Sequence, residues 1–202
     1  MKSAFTSMLA ASALLAFAPA SQAADIYKLD PMHTTVNWSI NHFGFSNPTG
    51  KFSMVDGTLA LDTAKPENST VRATISIANL STGIPKLDEH LKSKAFFDIA
   101  TFPTATFVSN KVDVTGKDTA KVTGSLTLHG ITKPVTLDVK LNRSGINMMK
   151  KQTVGFSMTT VLKRSEFGIT SYLPSEAMNP ALADDVKIDI ESEANLELPE
   201  AK

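Results

Sequence analysis

The chain has 202 residues, with 20 Lys and Arg against 20 Asp and Glu, four His and no Cys. Balanced charge supplies no electrostatic footprint for nucleic acid or an anionic membrane surface. The lack of cysteine excludes disulfides, thiolate metal sites and cysteine nucleophiles.

The N-terminus has targeting character. Lys2 gives a positive start, Met8 to Ala18 is apolar, and Ser21-Gln22-Ala23 is a small-x-small cleavage pattern. That apolar stretch is too short to span a bilayer, and no later run approaches the ~20 apolar residues of a helical span. No Cys follows the cleavage point, so a lipid-anchored form is not expected. Residues 1–23 are therefore expected to be an export signal, and residues 24–202 one mature domain with a sizeable core. A cysteine-free exported domain of this length is expected in the periplasm.

Asp25 to Leu29 forms a first strand candidate, closed by Asp30-Pro31. Val36, Trp38, Ile40 and His42 then share one strand face, with Asn37, Ser39 and Asn41 on the other. Gly44 and the run Ser46 to Gly50 break the pattern, and Lys51 to Asp62 resumes it. In that run Leu59 and Leu61 face inward and Gly57 marks a bulge or a close approach. Val71, Ala73, Ile75 and Ile77 face in, against Arg72, Thr74 and Ser76.

The alternation then stops. Ile84, Leu87 and Leu91 stand three and four apart, and Pro85 suits a first helical position, where its missing N–H costs nothing. Lys86 to Lys94 is thus expected to be a short amphipathic helix, flanked by Asp88 and His90 and leaving through the elbow Phe96, Phe97, Phe102 and Pro103. Strands resume at Thr104 to Val114, Lys121 to Leu128 and Val135 to Leu141. After a polar loop carrying Met148-Met149, Val154, Phe156, Met158, Thr160 and Leu162 alternate in the next strand. A long loop, Ile169 to Asp184, leads to a last strand beginning with Val186, Ile188 and Ile190.

Eight or nine strands at hairpin spacing with no βαβ rhythm predict a mostly β fold. Antiparallel strands burying one face must close on themselves or stack. An up-and-down barrel is preferred, since eight strands leave an interior wide enough for one small or elongated ligand. A sandwich packed solid also satisfies the alternation.

Several blocks carry a family resemblance: Asp30-x-x-His33 with Val36 to Gly44, Gly50-Lys51-Phe52, Asp56-Gly57-Thr58, and Asp88 to Ser93 with Phe96-Phe97-Asp98. Phe102 to Phe107, Gly124 to Leu137 and Arg164 to Ile169 follow in order. From Tyr27 to Leu196 the chain resembles the YceI family of exported, lipocalin-like proteins. The resemblance implies an eight-stranded antiparallel barrel with one short helix near residues 85–94 and a long apolar interior. It also implies a carrier for an isoprenoid-type or other long-chain lipid, and no enzymatic activity. Polyprenyl diphosphate, an isoprenoid quinone and a fatty amide are the ligands it suggests; no cofactor is expected.

On that basis the polar end of a ligand would meet Lys86, Asp88, His90, Arg164 and His42. For His42 a second reading is a core histidine bonded to a backbone carbonyl, and for Arg164 a pairing with Glu166 or Asp88. The tail would meet Trp38, Ile40, Phe43, Phe52, Leu59, Ile75 and Ile77 along the first strands. Leu87, Leu91 and Phe97 would cover it from the helix and elbow, and Phe107, Leu126, Leu137, Phe156 and Met158 from the later strands. These apolar side chains would equally fill a solid core, which leaves open a stress-related structural protein without ligand. The four histidines lack H-x-H or H-x-x-x-H spacing, so no metal site is expected. An exported enzyme acting on a lipid would want a G-x-S-x-G elbow or paired carboxylates, and neither stands out. A membrane barrel would want aromatic girdles, against two Tyr and one Trp here. A homodimer is compatible with the sequence.

Overall fold

The computed structural model describes residues 24–175, 177–179 and 181–197. The expected export signal at residues 1–23 lies outside them. The elements are β1 (Asp25–Leu29), β2 (Thr35–His42), β3 (Thr49–Phe52), β4 (Val55–Leu61), β5 (Thr70–Ser76), β6 (Leu80–Ser81) and α1 (Pro85–Lys92). They continue with β7 (Thr104–Gly116), β8 (Thr119–Leu128), β9 (Ile131–Ile146), β10 (Gln152–Lys163) and β11 (Leu182–Leu196). All pairings are antiparallel, and β1 pairs β11 to close the sheet on itself.

Eleven strand segments make eight staves. β1 and β2 lie in succession along one edge of β11, Leu29 opposite Ala194 and Val36 opposite Ile190, separated by the turn at 30–34. β3 and β4 form the next stave and β5 and β6 the third; β7 to β11 are single long strands. The fold is an eight-stranded up-and-down barrel with one short helix, as expected.

The alternation sets which side faces in. Along β9, Val135 and Leu137 are buried, while Thr136 and Asp138 between and after them are exposed. The outer face carries cross-strand ion pairs: Lys28 with Asp56 at 2.6 Å, Lys163 with Asp185 at 2.8 Å, and Lys121 with Asp138. Such exposed pairs add little stability, but a wall that carries them suits water rather than hydrocarbon. Among the described residues no helix is long and apolar enough to cross a membrane.

Three expectations are corrected. The run from Lys51 to Asp62 is two strands, because Met54 takes a left-handed conformation (φ 61°) that kinks the stave. β9 runs well past Leu141 to Ile146, since pairing to β10 continues through polar positions that show no apolar period. The loop after Ile169 ends earlier than Asp184, with Leu182 already paired to His42. Gly57 is a close approach and not a bulge: it pairs in register with Ala73, and a Cβ there would lie 2.2 Å from the Arg72 carbonyl oxygen.

Helix α1 begins at Pro85, as expected, and ends at Lys92, two residues before Lys94. Ser93 stops it, its hydroxyl donating to the His90 carbonyl at 2.7 Å. Its first turn is tied back by Asp88, whose carboxylate accepts the Thr82 amide at 2.7 Å and hydroxyl at 2.6 Å.

Candidate functional site

Inward side chains of the staves enclose a cavity of about 680 Å³, within the range of small-molecule sites. Its wall is made by alternate residues of the strands. β2 contributes Val36, Trp38 and Ile40; β5 and the turn after it contribute Ala73, Ile75 and Ile77. Phe107, Leu126, Leu137 and Met158 come from β7 to β10, and Val186, Ile188 and Ile190 from β11.

One end opens to water. His42 and His90 line the cavity yet are exposed, and Tyr172 is 49 % exposed. Between the two histidines runs a continuous series of rings. His42 meets Phe43 edge-on at 4.7 Å, and Phe43 meets Tyr172 at 6.5 Å. Tyr172 meets Phe96 at 6.3 Å, and Phe96 meets His90 at 5.0 Å. These separations suit edge-to-face or tilted aromatic pairs. Helix α1 lies over this mouth, contributing Leu87, His90 and Leu91 to the lining. At the other end the cavity stops at Thr34 and Ser192, whose hydroxyls lie 3.3 Å apart. Beyond them Tyr27, Val154 and Ala194 are packed solid.

Arg164 is the one buried charged residue among those described, at 6 % exposure. Its Nε donates to the Ala183 carbonyl at 2.8 Å, Nη1 to those of Ile169 and Ser171 at 2.9 and 2.8 Å, and Nη2 to that of Leu182 at 3.1 Å. Burial pulls its pKa down, and the charge of Asp184 opposes that pull. Arg164 lines the cavity, but its guanidinium is spent largely on the backbone of the rim loop and of the start of β11. Asp184 in turn accepts the Ser165 amide and hydroxyl. The expected partners Glu166 and Asp88 are not used.

Outside the barrel, Asp30, His33 and Glu193 bring potential ligand atoms within 4.8 Å of one another. A hydrogen bond to Asp30 at 2.9 Å, followed by that carboxylate's charge, raises the His33 pKa. For Asp30, burial works upward, but hydrogen bonds from His33 and the Met32 amide outweigh it and the net shift is downward. The cluster ties down the turn between β1 and β2.

The family profile described as YceI-like domain matches residues 27–194. The chain belongs to the YceI family. A UPF0312 protein of Pseudomonas putida strain W619 is 39 % identical over 171 residues, covering 84 % of this chain and 88 % of its own. Among solved structures, Burkholderia cenocepacia BcnA superposes with a TM-score of 0.71 at 25 % identity, over 82 % of this chain and 98 % of that one. A YceI protein of Campylobacter jejuni gives 0.68 at 29 % identity, over 78 % and 90 %. A domain of Saccharophagus degradans described as polyisoprenoid binding gives 0.64 at 17 % identity, over 85 % and 98 %, a likeness of fold.

Thirteen of the fifteen expected channel residues line the cavity of this YceI-family chain. Leu59 and Phe156 do not: they have the inward parity but sit in the packed end. Of the polar candidates, His42, His90 and Arg164 reach the cavity. Asp88 does not, because its carboxylate is held by Thr82, bonds that lower its pKa. Lys86 is exposed on the helix and lies off the lining. His42 is a mouth residue and not a core histidine, since its strand ends there. Sequence reasoning missed Tyr172, which stands in a loop without period. It read Phe96 only as part of the elbow, although a ring beside the cap of an apolar helix was a usable signal.

Proposed function

We propose that this protein binds a long-chain amphiphilic lipid of isoprenoid type and carries or sequesters it in the periplasm. The observation that carries the proposal is the apolar cavity of about 680 Å³ opening through a ring of aromatic and histidine side chains. A tail entering it leaves water, and each ~100 Å² of apolar surface so removed contributes about 2.5 kcal/mol. The polar end stays near His42 and His90, where solvent reaches. The Saccharophagus degradans domain described as polyisoprenoid binding shares the fold and supports the ligand class. A periplasmic location rests on the export signature of residues 1–23.

The protein acts by binding and without catalysis. The buried polar groups Arg164 and Thr34, which line the cavity, are engaged in structure: Arg164 holds carbonyls of the rim loop and of the start of β11, and Thr34 pairs with Ser192. Native mass spectrometry of protein released by osmotic shock, followed by organic extraction, tests the reading. Recovery of a lipid of isoprenoid mass is the expected result. Repeated recovery of empty protein that takes up no added long-chain isoprenoid would sink it.

A further inference from the structure

Resting on the carrier reading above, we infer that the rim turn bearing Phe45 docks the open end of the barrel on a neutral phospholipid bilayer, the phase that holds a long-chain lipid before loading. Phe45 is 88 % exposed, a phenylalanine ring standing in water. It borders the cavity mouth. His42 and Ser46 bridge across its turn, and both line the cavity, as do Phe43 and Pro48. Tyr172, the half-exposed ring of the same mouth, meets Phe43 at 6.5 Å.

The turn holds that ring out. The Phe45 amide donates to the His42 carbonyl at 3.0 Å, the His42 amide to the Ser46 carbonyl at 2.8 Å, and the Phe43 amide to the Ala181 carbonyl at 3.2 Å. Asn41 braces the turn, accepting the Gly44 amide at 2.9 Å and donating to Asn47 at 3.1 Å. Phe43 takes a left-handed conformation (φ 53°), rare for a bulky residue, and packs inward against Phe96, Ile169 and Leu182. Folding Phe45 onto the core would break these bonds.

Charge and position select the partner. Asn41 to Gly50 contains no Asp, Glu, Lys or Arg, and neither does Phe167 to Ser175. On a third side, helix α1 exposes Lys86, Glu89 and Lys94, of mixed sign. Such a rim supplies no field to draw an anionic surface or an acidic protein, while protruding aromatic rings suit the headgroup level of a bilayer. A second copy seated on Phe45 would shut the entrance that a carrier needs open. The closed end is the contrast. Met148 and Met149 are exposed there, but Lys150 and Lys151 follow them, and Asn147 ties that loop to Asn195 beside the packed β1–β11 contact. With the mouth against the bilayer, a lipid tail enters the barrel without exposing its apolar surface to water, the costly step of any transfer.

The test uses phosphatidylcholine vesicles, first without any isoprenoid. The mature protein should float with them, and Phe45→Ser should lower the partition coefficient roughly tenfold. Raising salt from about 0.1 M to about 1 M should change wild-type partition by less than about twofold. Because the chain has no Cys, Asn47→Cys and Met148→Cys each carry one environment-sensitive fluorophore. The label at 47 should shift to the blue on adding vesicles, and the label at 148 should not. No wild-type partition, equal partition of Phe45→Ser, loss of partition at high salt, or entry of the label at 148 instead overturns the docking surface. So does a wild-type dimer that Phe45→Ser dissociates in the absence of vesicles. The same vesicles are then loaded with geranylgeraniol, and uptake is followed by native mass spectrometry. Phe45→Ser should load more slowly from vesicles and reach the wild-type occupancy. Wild-type loading with no slowing in the variant overturns the docking surface alone. Failure of the wild type to load, from vesicles or from dilute solution, overturns the carrier reading.

Discussion

Where β1 meets β11 the barrel is full: Val154 is 0 % exposed, Ala194 1 % and Tyr27 3 %. Toward His42 and His90 the same inward alternation encloses about 680 Å³ of space. Both ends have large apolar residues, so bulk alone does not separate them. In the open half the big rings lie against the wall. A Cβ at Gly50 would sit 2.3 Å from the Trp38 ring, and one at Gly124 would sit 2.5 Å from Cζ of Phe107. Each ring occupies the space a neighbouring side chain would take, and the lumen stays clear. In the packed half Tyr27, Leu59, Phe156 and Leu196 converge without such glycines beside them and close the end.

Adding volume to each half sharpens the contrast most. Ala194→Leu in the packed half should destabilise the protein by about 2–3 kcal/mol through overpacking. Thr160→Leu, which adds its bulk to the open lumen, should change stability by less than about 1 kcal/mol and reduce lipid uptake. Urea unfolding and lipid titration of both variants measure the two effects; equal destabilisation would mean the open half is not open.

A smaller effect is expected of Gly50→Ala, which pushes the indole off the wall. It should cost about 1–2 kcal/mol and alter the fluorescence of the single tryptophan. An unchanged spectrum would contradict the flat placement of the ring.

The smallest effect lies outside the cavity and serves as its control. His33 has a pKa raised above its ordinary 6.5, so its contribution is complete below that value and is lost as pH rises through the folded pKa. Asp30 has a pKa lowered below its ordinary 3.8, so its contribution is complete above that value and is lost as pH falls through the folded pKa. The pair is thus fully effective between pH 3.8 and 6.5. Asp30→Asn should return the His33 titration toward 6.5 in NMR and leave lipid binding unchanged. A loss of binding would couple this turn to the cavity.

Much of this fold was legible because a strand facing a core repeats every two residues. Val135-x-Leu137 and Val36-x-Trp38-x-Ile40 announced their faces, and Pro85 with Leu87 and Leu91 announced the helix. Depth was not legible. Leu59 and Phe156 share parity with the lining, yet only the register of neighbouring strands puts them at the closed end. Roles that depend on backbone were hidden too. Arg164 looked like a partner for an anion, and its carbonyl partners come from a loop whose path the sequence does not declare and from the start of β11 that this loop leads to. Asp88 looked like a ligand contact because its spacing placed it beside the apolar stripe, whereas Thr82 claims it. Tyr172 lay in a segment with no period from which to read a face.

The central claim is that the open half houses a lipid tail. A crystal structure of the protein soaked with an isoprenoid iodinated at its tail end tests it most directly, since the iodine marks its own position by anomalous scattering. The account predicts an iodine peak inside the barrel, between the His42–His90 mouth and the Thr34–Ser192 floor. Iodine found only on the outer surface, or none at saturating ligand, would contradict it.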